Sequence, residues 1–199
     1  MKKIILLYLF AITFSLTAQY SKAPTMAPIL TNGYYINFRG DTIKGQVQIN
    51  PPNKTDFYKQ FGFQKKNTRK AKLMLAQKTK AYGFDNRHFV MINYDDKKIF
   101  VERLATGRLN FYEYRFNDNT NKDIESESYF FIEDSGENNS DKGTQSPKKI
   151  TYKFYKKNLK PFMKEQPQIW NELDKFNFDE KSVISAVNEY NKNYTTTSY

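Results

Sequence analysis

The sequence predicts an α+β fold, in which an antiparallel β-meander sheet or open barrel is followed by three short C-terminal helices. Apolar and polar residues alternate along most segments between residues 33 and 154, and Gly, Asn and Asp separate those segments. After Tyr155 the apolar spacing changes to three and four residues. Strands that come first and helices that come last indicate the α+β class, and we expect one domain over residues 19–199.

A β-hairpin is the clearest local signal. Residues 33–38 fit a strand, residues 39–42 a turn, and residues 43–49 a second, alternating strand. Gly40 followed by Asp41 suits a tight turn that needs a positive φ. The tripeptide Arg39-Gly40-Asp41 also matches an integrin-adhesion motif, but a turn in a hairpin explains the same residues.

Further strands follow along the chain. Residues 108–116 carry aromatic side chains on both faces, so we expect that strand to be packed on both sides. The apolar patch 71–76 fits either a strand or a turn of helix. The other predicted strands are 57–65, 80–84, 88–93, 98–104, 128–133 and 150–154.

Capping residues place three helices in the C-terminal part of the chain. Asn158 is the expected N-cap of the first helix, Pro167 opens the second, and Asp179 caps the third. The apolar side of each helix should pack against the sheet. We expect burial of the side chains that form this apolar side, including Trp170, Leu173, Val183 and Val187.

The N-terminal leader predicts export. Lys2 and Lys3 precede the apolar run 4–14, and a short segment ending at Ala18 follows. This order is typical of a secretory signal peptide over residues 1–18, and the run is too short for a membrane span. We therefore expect a periplasmic or secreted product that begins at Gln19 and has no transmembrane span.

Composition limits the chemistry. The chain has no cysteine, which excludes disulfides and thiol chemistry. It contains 32 Lys and Arg against 21 Asp and Glu, a formal net charge of +11. Acidic residues concentrate in two polar segments, so we expect acidic, flexible loops over residues 117–127 and 134–147. A basic body of this kind attracts polyanions, although a lysine-rich soluble surface explains the same charge.

Catalytic motifs are missing from the sequence, and we predict no cofactor, no catalytic residue and no metal site. The single histidine, His88, lies in a predicted strand without a partner nucleophile. A carboxylate pair such as Glu102 with Glu113 could serve a glycosidase, but the sequence does not place the two side chains together.

One polar segment resembles a calcium loop. Oxygen-bearing side chains alternate at Asn117, Asn119, Asn121 and Asp123. Lys122 stands where such a loop needs glycine, and Ser128 stands where glutamate would close it, so a solvated loop is the preferred interpretation.

Two lysine clusters are the candidate binding residues. The first covers residues 65–80 and the second residues 148–164. Aromatic residues are interleaved with the lysines of the second cluster, as in polyanion sites, although the solvent-exposed face of a sheet gives the same pattern. The polyanion-binding candidates are Lys149, Lys153, Lys156, Lys157 and Lys160, with an acidic glycan or envelope component as the possible partner; nucleic acid is not expected.

Several short motifs resemble a group of uncharacterised exported proteins from Bacteroidota, of the flavobacterial type. The hairpin 33–45 is similar, and so are residues 154–160, Gln166-Pro167, Phe178-Asp179 and 189–191. Asp41-Thr42-Ile43 further resembles the periplasmic O-glycosylation signal of such bacteria. The resemblance implies a cell-envelope setting and carries over no site residues, because the group has no assigned activity.

Together these observations predict an exported cell-envelope protein that acts as a non-enzymatic accessory or binding module. The alternatives are an envelope hydrolase with a glycosidase-like carboxylate pair and a polyanion- or glycan-binding protein.

Overall fold

A computed structural model describes residues 27–117, 127–135, 147–175 and 177–197. These residues form an open, antiparallel sheet of ten strands, followed by three helices. The predicted α+β class is therefore confirmed.

The strands are β1 (Leu30–Ile36), β2 (Thr42–Gln48), β3 (Gln60–Lys65), β4 (Lys72–Leu75), β5 (Ala81–Phe84), β6 (Arg87–Tyr94), β7 (Lys97–Ala105), β8 (Leu109–Phe116), β9 (Glu127–Asp134) and β10 (Lys148–Ile150). The helices are α1 (Tyr155–Leu159), α2 (Pro167–Leu173) and α3 (Glu180–Thr197). Short 3-10 turns occupy Lys54–Tyr58, Ala76–Lys78, Tyr152–Phe154 and Lys160–Phe162.

The sheet consists of two meanders joined side by side. Its strand order is β10-β9-β8-β7-β6-β5-β1-β2-β3-β4, so β1 lies between β2 and β5. Tyr35 of β1, for example, is opposite Ile43 of β2 on one side and Tyr82 of β5 on the other. The first four strands and the last six are each sequential, but the junction between them is not.

The predicted hairpin turn is confirmed. Gly40 has a φ of +95°, a conformation that glycine adopts without steric cost. The side chain of Asn37 accepts hydrogen bonds from the backbone N–H groups of Arg39 (2.9 Å) and Asp41 (3.0 Å) and donates to the Asp41 carboxylate (2.9 Å). Asp41 is thus engaged by the turn itself, as the turn interpretation of the Arg-Gly-Asp tripeptide requires.

Three predicted boundaries were wrong, and local capping explains the first of them. Asn53 and Asp56 form a capping box that winds Lys54–Tyr58 into a 3-10 turn, so Phe57 precedes the strand instead of starting it. The last strand ends at Ile150, before a second turn. Helix α1 begins at Tyr155, which leaves Asn158 inside it.

Two other boundaries followed the sequence pattern more closely. Asp179 caps α3 as predicted, because its carboxylate accepts from the backbone N–H of Ser182 at 2.9 Å. The ambiguous patch 71–76 supplies the edge strand β4 and the start of a 3-10 turn.

The sheet face that the helices cover carries two apolar clusters. The helix-covered cluster lies over β8, β9 and β10, and the four side chains predicted to be buried belong to it. The aromatic cluster lies over the remaining strands beneath the turn 54–58 and consists almost entirely of rings, namely Phe57, Tyr58, Phe61, Phe63, Tyr82, Phe84, Phe89 and Phe100. A third, smaller cluster occupies the reverse face and contains Ile92, Ile99, Val101, Tyr112 and Phe131.

One buried amide docks α3 on the sheet. The side chain of Asn191 accepts from the backbone N–H of Leu109 and donates to its carbonyl, both at 2.8 Å. The amide thereby takes the place of a neighbouring strand at the start of β8. A Cβ on Gly107 would collide with the Asn191 side chain, so glycine leaves the space that this contact needs.

Some sequence predictions fall outside the described residues. These are the signal peptide, most of both acidic loops, and the calcium-like alternation from Asn119 to Asp123. Within the part of the chain that the structure describes, no helix has the length and apolar character needed to cross a membrane.

A buried carboxylate pair and an open basic groove

Glu102 and Glu113 are direct partners across β7 and β8, on the sheet face that the helices cover. The hydroxyl of Tyr58 lies between them. It donates to Glu102 at 3.0 Å and lies 3.5 Å from a carboxylate oxygen of Glu113. The pair therefore stands where the aromatic cluster meets the helix-covered cluster.

Each carboxylate also has its own cationic partner. Arg87 reaches Glu102 with two nitrogens, at 2.7 and 2.6 Å, and its guanidinium lies 4.8 Å from the ring centre of Phe89. Glu113 accepts from Arg115 at 2.8 Å and from the hydroxyl of Ser128 at 2.7 Å. These four charges balance, which is what allows two carboxylates to lie side by side in the interior.

The pKa shifts around the pair reflect burial and charge together. Burial, reinforced by the two carboxylates, raises the pKa of Tyr58 far above its usual value. The hydrogen bond to Glu113 raises the pKa of Arg115 and outweighs its partial burial. Burial and the charge of Glu113 raise the pKa of Glu180, at the start of α3. Tyr58 therefore remains a hydroxyl donor, and both arginines remain charged.

The pair is largely buried. The Glu113 side chain is only 1% exposed and that of Glu102 13%. A glycosidase instead presents its two carboxyl groups to a sugar in an open cleft. The register thus brings together the two acids considered from the sequence, but as a paired interior cluster.

A second polar pair lies on the reverse face of the sheet. The Tyr34 hydroxyl lies 2.6 Å from Nδ1 of His88, and the two rings stack. Burial, together with the charge of Arg103, lowers the pKa of His88 to about 4. Histidine is therefore neutral at pH 7, and one hydrogen bond joins its Nδ1 to the Tyr34 hydroxyl. A Cβ on Gly83 would lie 2.7 Å from the Tyr34 hydroxyl, so glycine keeps Tyr34 in this position.

An open cavity elsewhere on the sheet has a different chemistry. It has a volume of about 510 Å³ and lies where β1, β2 and β3 meet. Its described lining contains no carboxylate. We call it the basic groove, and its lining consists of the cations Lys44, Lys65 and Lys66, the amides Asn32, Gln46, Gln64 and Asn67, and the glycines Gly33 and Gly45.

The predicted lysine candidates lie elsewhere and do not share one surface. Lys149 projects onto the reverse face, where its ammonium donates to the Tyr94 hydroxyl at 2.8 Å. Lys156 on α1 pairs with Asp174 at 3.2 Å. Lys153, Lys157 and Lys160 are exposed around α1, and Lys160 lies 5.6 Å from the ring centre of Trp170.

Sequence reasoning placed the candidate site in the second lysine cluster and missed the basic groove. Lys65 and Lys66 belong to the first lysine cluster, residues 65–80. The missed signal was the polar positions Asn32, Gln46 and Gln64, which are mutual partners across β1, β2 and β3. Their alignment depends on strand pairing and is therefore not visible in any single segment.

Neither metal ligands nor relatives add a further site. Among the described residues, no group of three or more His, Cys, Asp or Glu side chains could hold a metal ion. Comparisons with protein-family models, curated proteins and solved structures each found no match.

Proposed function

We propose that this chain is an exported cell-envelope protein that binds an anionic envelope component and catalyses no reaction on it. One observation carries the proposal: the carboxylates that could perform hydrolysis are closed off, whereas the open groove presents lysines and amides. Lysines at the cavity attract anions, and amides add neutral hydrogen bonds.

The net charge of the chain supports the same partner class. The full chain has a formal charge of +11, and removal of Lys2 and Lys3 with the leader would leave +9, a charge that raises the local concentration of anionic ligands and speeds their encounter. Exposed lysines around α1 contribute to this long-range attraction without forming a cavity themselves.

A hydrolase is the weaker alternative. Retaining and inverting glycosidases need carboxyl groups about 5–10 Å apart, with access for sugar and water. Here Tyr58 bridges the acids, and each acid is already paired with an arginine. Release of either acid for proton transfer would break its hydrogen bonds to arginine and to Tyr58.

Binding is tested by titrating the mature protein with polygalacturonate at low and at moderate salt. We expect binding at low salt that weakens steeply as salt is added, because phosphate- or carboxylate-bearing polymers release counterions when lysines bind them. Failure to bind polygalacturonate at low salt, where the attraction is strongest, would contradict the proposal.

Export is tested separately, by intact-mass measurement of the protein recovered from the envelope of the expressing cell. We expect cleavage after Ala18, because the leader has the charged, apolar and small-residue order of a signal peptide. Recovery of a species that retains residues 1–18 would show that the chain is not processed as proposed.

A further inference from the structure

We propose that the basic groove is the binding site, and that its ligand is an acidic polysaccharide lying across the strands on the reverse face of the sheet. This inference rests on the proposed binding function and adds the place, the direction and the chemical class of the ligand.

Strand register aligns polar side chains into two adjacent rows. In the first row Gln64, Gln46 and Asn32 are partners across β3, β2 and β1. In the second row Lys44 is the partner of Tyr34, which is the partner of Gly83. Lys44 and Gln46 are two residues apart in one strand and therefore share a face. Lys44 thus belongs both to the basic groove and to the row that contains Tyr34.

The second row extends the groove with donors. Gly83 is the partner of His88. Neutral His88 and Tyr34 carry two polar hydrogens and the bond between them uses one, so the pair keeps one donor. Arg103 lies close enough to depress the pKa of His88 through its charge, and its guanidinium lies 5.8 Å from the ring centre of Tyr112. From β3 to β7 this surface spans five strand spacings, about 24 Å.

The mixture of groups favours a carbohydrate over other polyanions. Lysine and arginine only donate hydrogen bonds, and they match carboxylates or sulfates. Asparagine and glutamine both donate and accept, which is what the hydroxyls of a sugar require. Four amides among the seven polar groove residues therefore suit a ligand that has hydroxyls between its charges.

A concave site with this lining suits a polymer chain better than a bilayer surface. Interfacial membrane proteins combine basic residues with an exposed apolar face that enters the acyl region. The described residues that line the groove include no large apolar side chain. An anionic membrane is therefore the competing outcome for the experiment.

Two charge-matched variants test the site. Lys44→Gln/Lys66→Gln removes two exposed groove lysines, and Lys153→Gln/Lys157→Gln removes two exposed lysines near α1. We expect the groove variant to weaken polygalacturonate binding at least tenfold and the control variant about twofold, since both lower the net charge equally. Equal losses would overturn the site while leaving a polyanion-binding function intact.

The ligand class is tested by comparing polygalacturonate with two anionic probes that lack its sugar hydroxyls or its polymer form. Polyglutamate has carboxylates without hydroxyls, and vesicles of phosphatidylglycerol present an anionic bilayer. We expect tighter binding of polygalacturonate than of either probe, and we expect Gln46→Ala to weaken only polygalacturonate binding. Equal or tighter binding of polyglutamate or of the vesicles would overturn the carbohydrate assignment.

The direction of the ligand is tested with galacturonate oligomers of increasing length. We expect affinity to rise until the oligomer spans about 24 Å, because longer chains reach beyond the groove to His88 and Arg103. His88→Gln should weaken only the oligomers that are long enough to reach it. A plateau at the length of the groove itself would show that the ligand does not cross β5, β6 and β7.

Discussion

The two apolar clusters on the helix-covered face cover the sheet in different ways. The helix-covered cluster mixes aliphatic side chains with Trp170 and three helices. The aromatic cluster has no helix above it, only residues of two short 3-10 turns, and fills its space with rings, such as Tyr82 stacked between Phe61 and Phe89 at 3.8 and 4.6 Å. Large rings bury much area per residue, so this half needs little additional chain to cover it.

The border between the clusters is polar. Glu102, Glu113, Tyr58 and the two arginines stand where ring packing gives way to helix packing. Because the same sheet runs beneath both clusters, we expect the two halves to unfold as one cooperative unit.

The largest expected effects come from emptying either cluster. Trp170→Ala and Phe100→Ala each remove a large side chain, 7% and 0% exposed respectively, and should each lower the free energy of unfolding by about 3–5 kcal/mol. Thermal and denaturant unfolding measure this loss. Each variant should shift one common transition, whereas two transitions that respond to different variants would show that the halves fold independently.

The polar border should contribute less to the free energy of unfolding than either apolar cluster does. Glu113→Ala leaves the hydroxyls of Tyr58 and Ser128 without this acceptor, and we expect a loss of about 1–3 kcal/mol. Arg115 is 48% exposed, so water solvates its charge once Glu113 is removed, and the larger cost of a fully buried charge does not apply.

Denaturant unfolding measures the effect at the border, with Glu113→Gln as the matched control. Glutamine retains an acceptor oxygen and nearly the same volume, so we expect it to lose less stability than alanine does. A Glu113→Ala protein as stable as the original would show that the pair contributes nothing to joining the clusters.

His88, on the reverse face, should have a smaller effect on stability, and this effect depends on pH. Its pKa of about 4 in the folded protein lies below its usual value of 6.5, so between these values the unfolded chain binds more protons. Stability from this group is complete above pH 6.5 and falls as the pH drops toward 4. After a discount for partial exposure we expect a loss of about 1–2 kcal/mol.

The His88 effect is isolated by a difference measurement. Unfolding is followed between pH 4 and pH 7 for the original protein and for His88→Gln, which cannot titrate in this range. The carboxylates titrate equally in both, so the difference in slope reports His88. If the unfolding free energies of the two proteins changed with pH in parallel, the lowered pKa of His88 would be contradicted.

The smallest expected effect lies outside both clusters. Lys156 and Asp174 tie α1 to the end of α2, but their side chains are 43% and 52% exposed. Lys156→Ala should therefore change the unfolding free energy by less than about 1 kcal/mol. A larger loss would mean that the position of α1 depends on this ion pair instead of on apolar packing.

Local pattern accounts for the strands and helices but not for their arrangement. Alternation and turn residues predicted the hairpin around Gly40, and capping predicted the start of α3 at Asp179. Both signals act within a few residues. These local signals do not predict the pairing of β1 with β5, because nothing near either strand distinguishes β5 from β3 as the second neighbour of β1.

The candidate sites show the same limit. Glu102 and Glu113 are plausible partners from the sequence, but a shift of one residue in register would place one of them on the other face. The register shift between Arg103 and Ala105 occurs beside this pair. Tyr58 comes from a turn more than forty residues earlier, and the basic groove combines three strands, so neither could be assigned from spacing alone.

The junction between the two meanders has a consequence for how the chain folds. The first hairpin, β1 with β2, closes locally, but the other edge of β1 stays unpaired until Ala81–Phe84 arrives. An unpaired strand edge offers its N–H and C=O groups to any other chain, and contacts between distant segments form slowly. A fragment that stops before residue 81 would carry this edge permanently, so we expect it to aggregate where the complete chain folds.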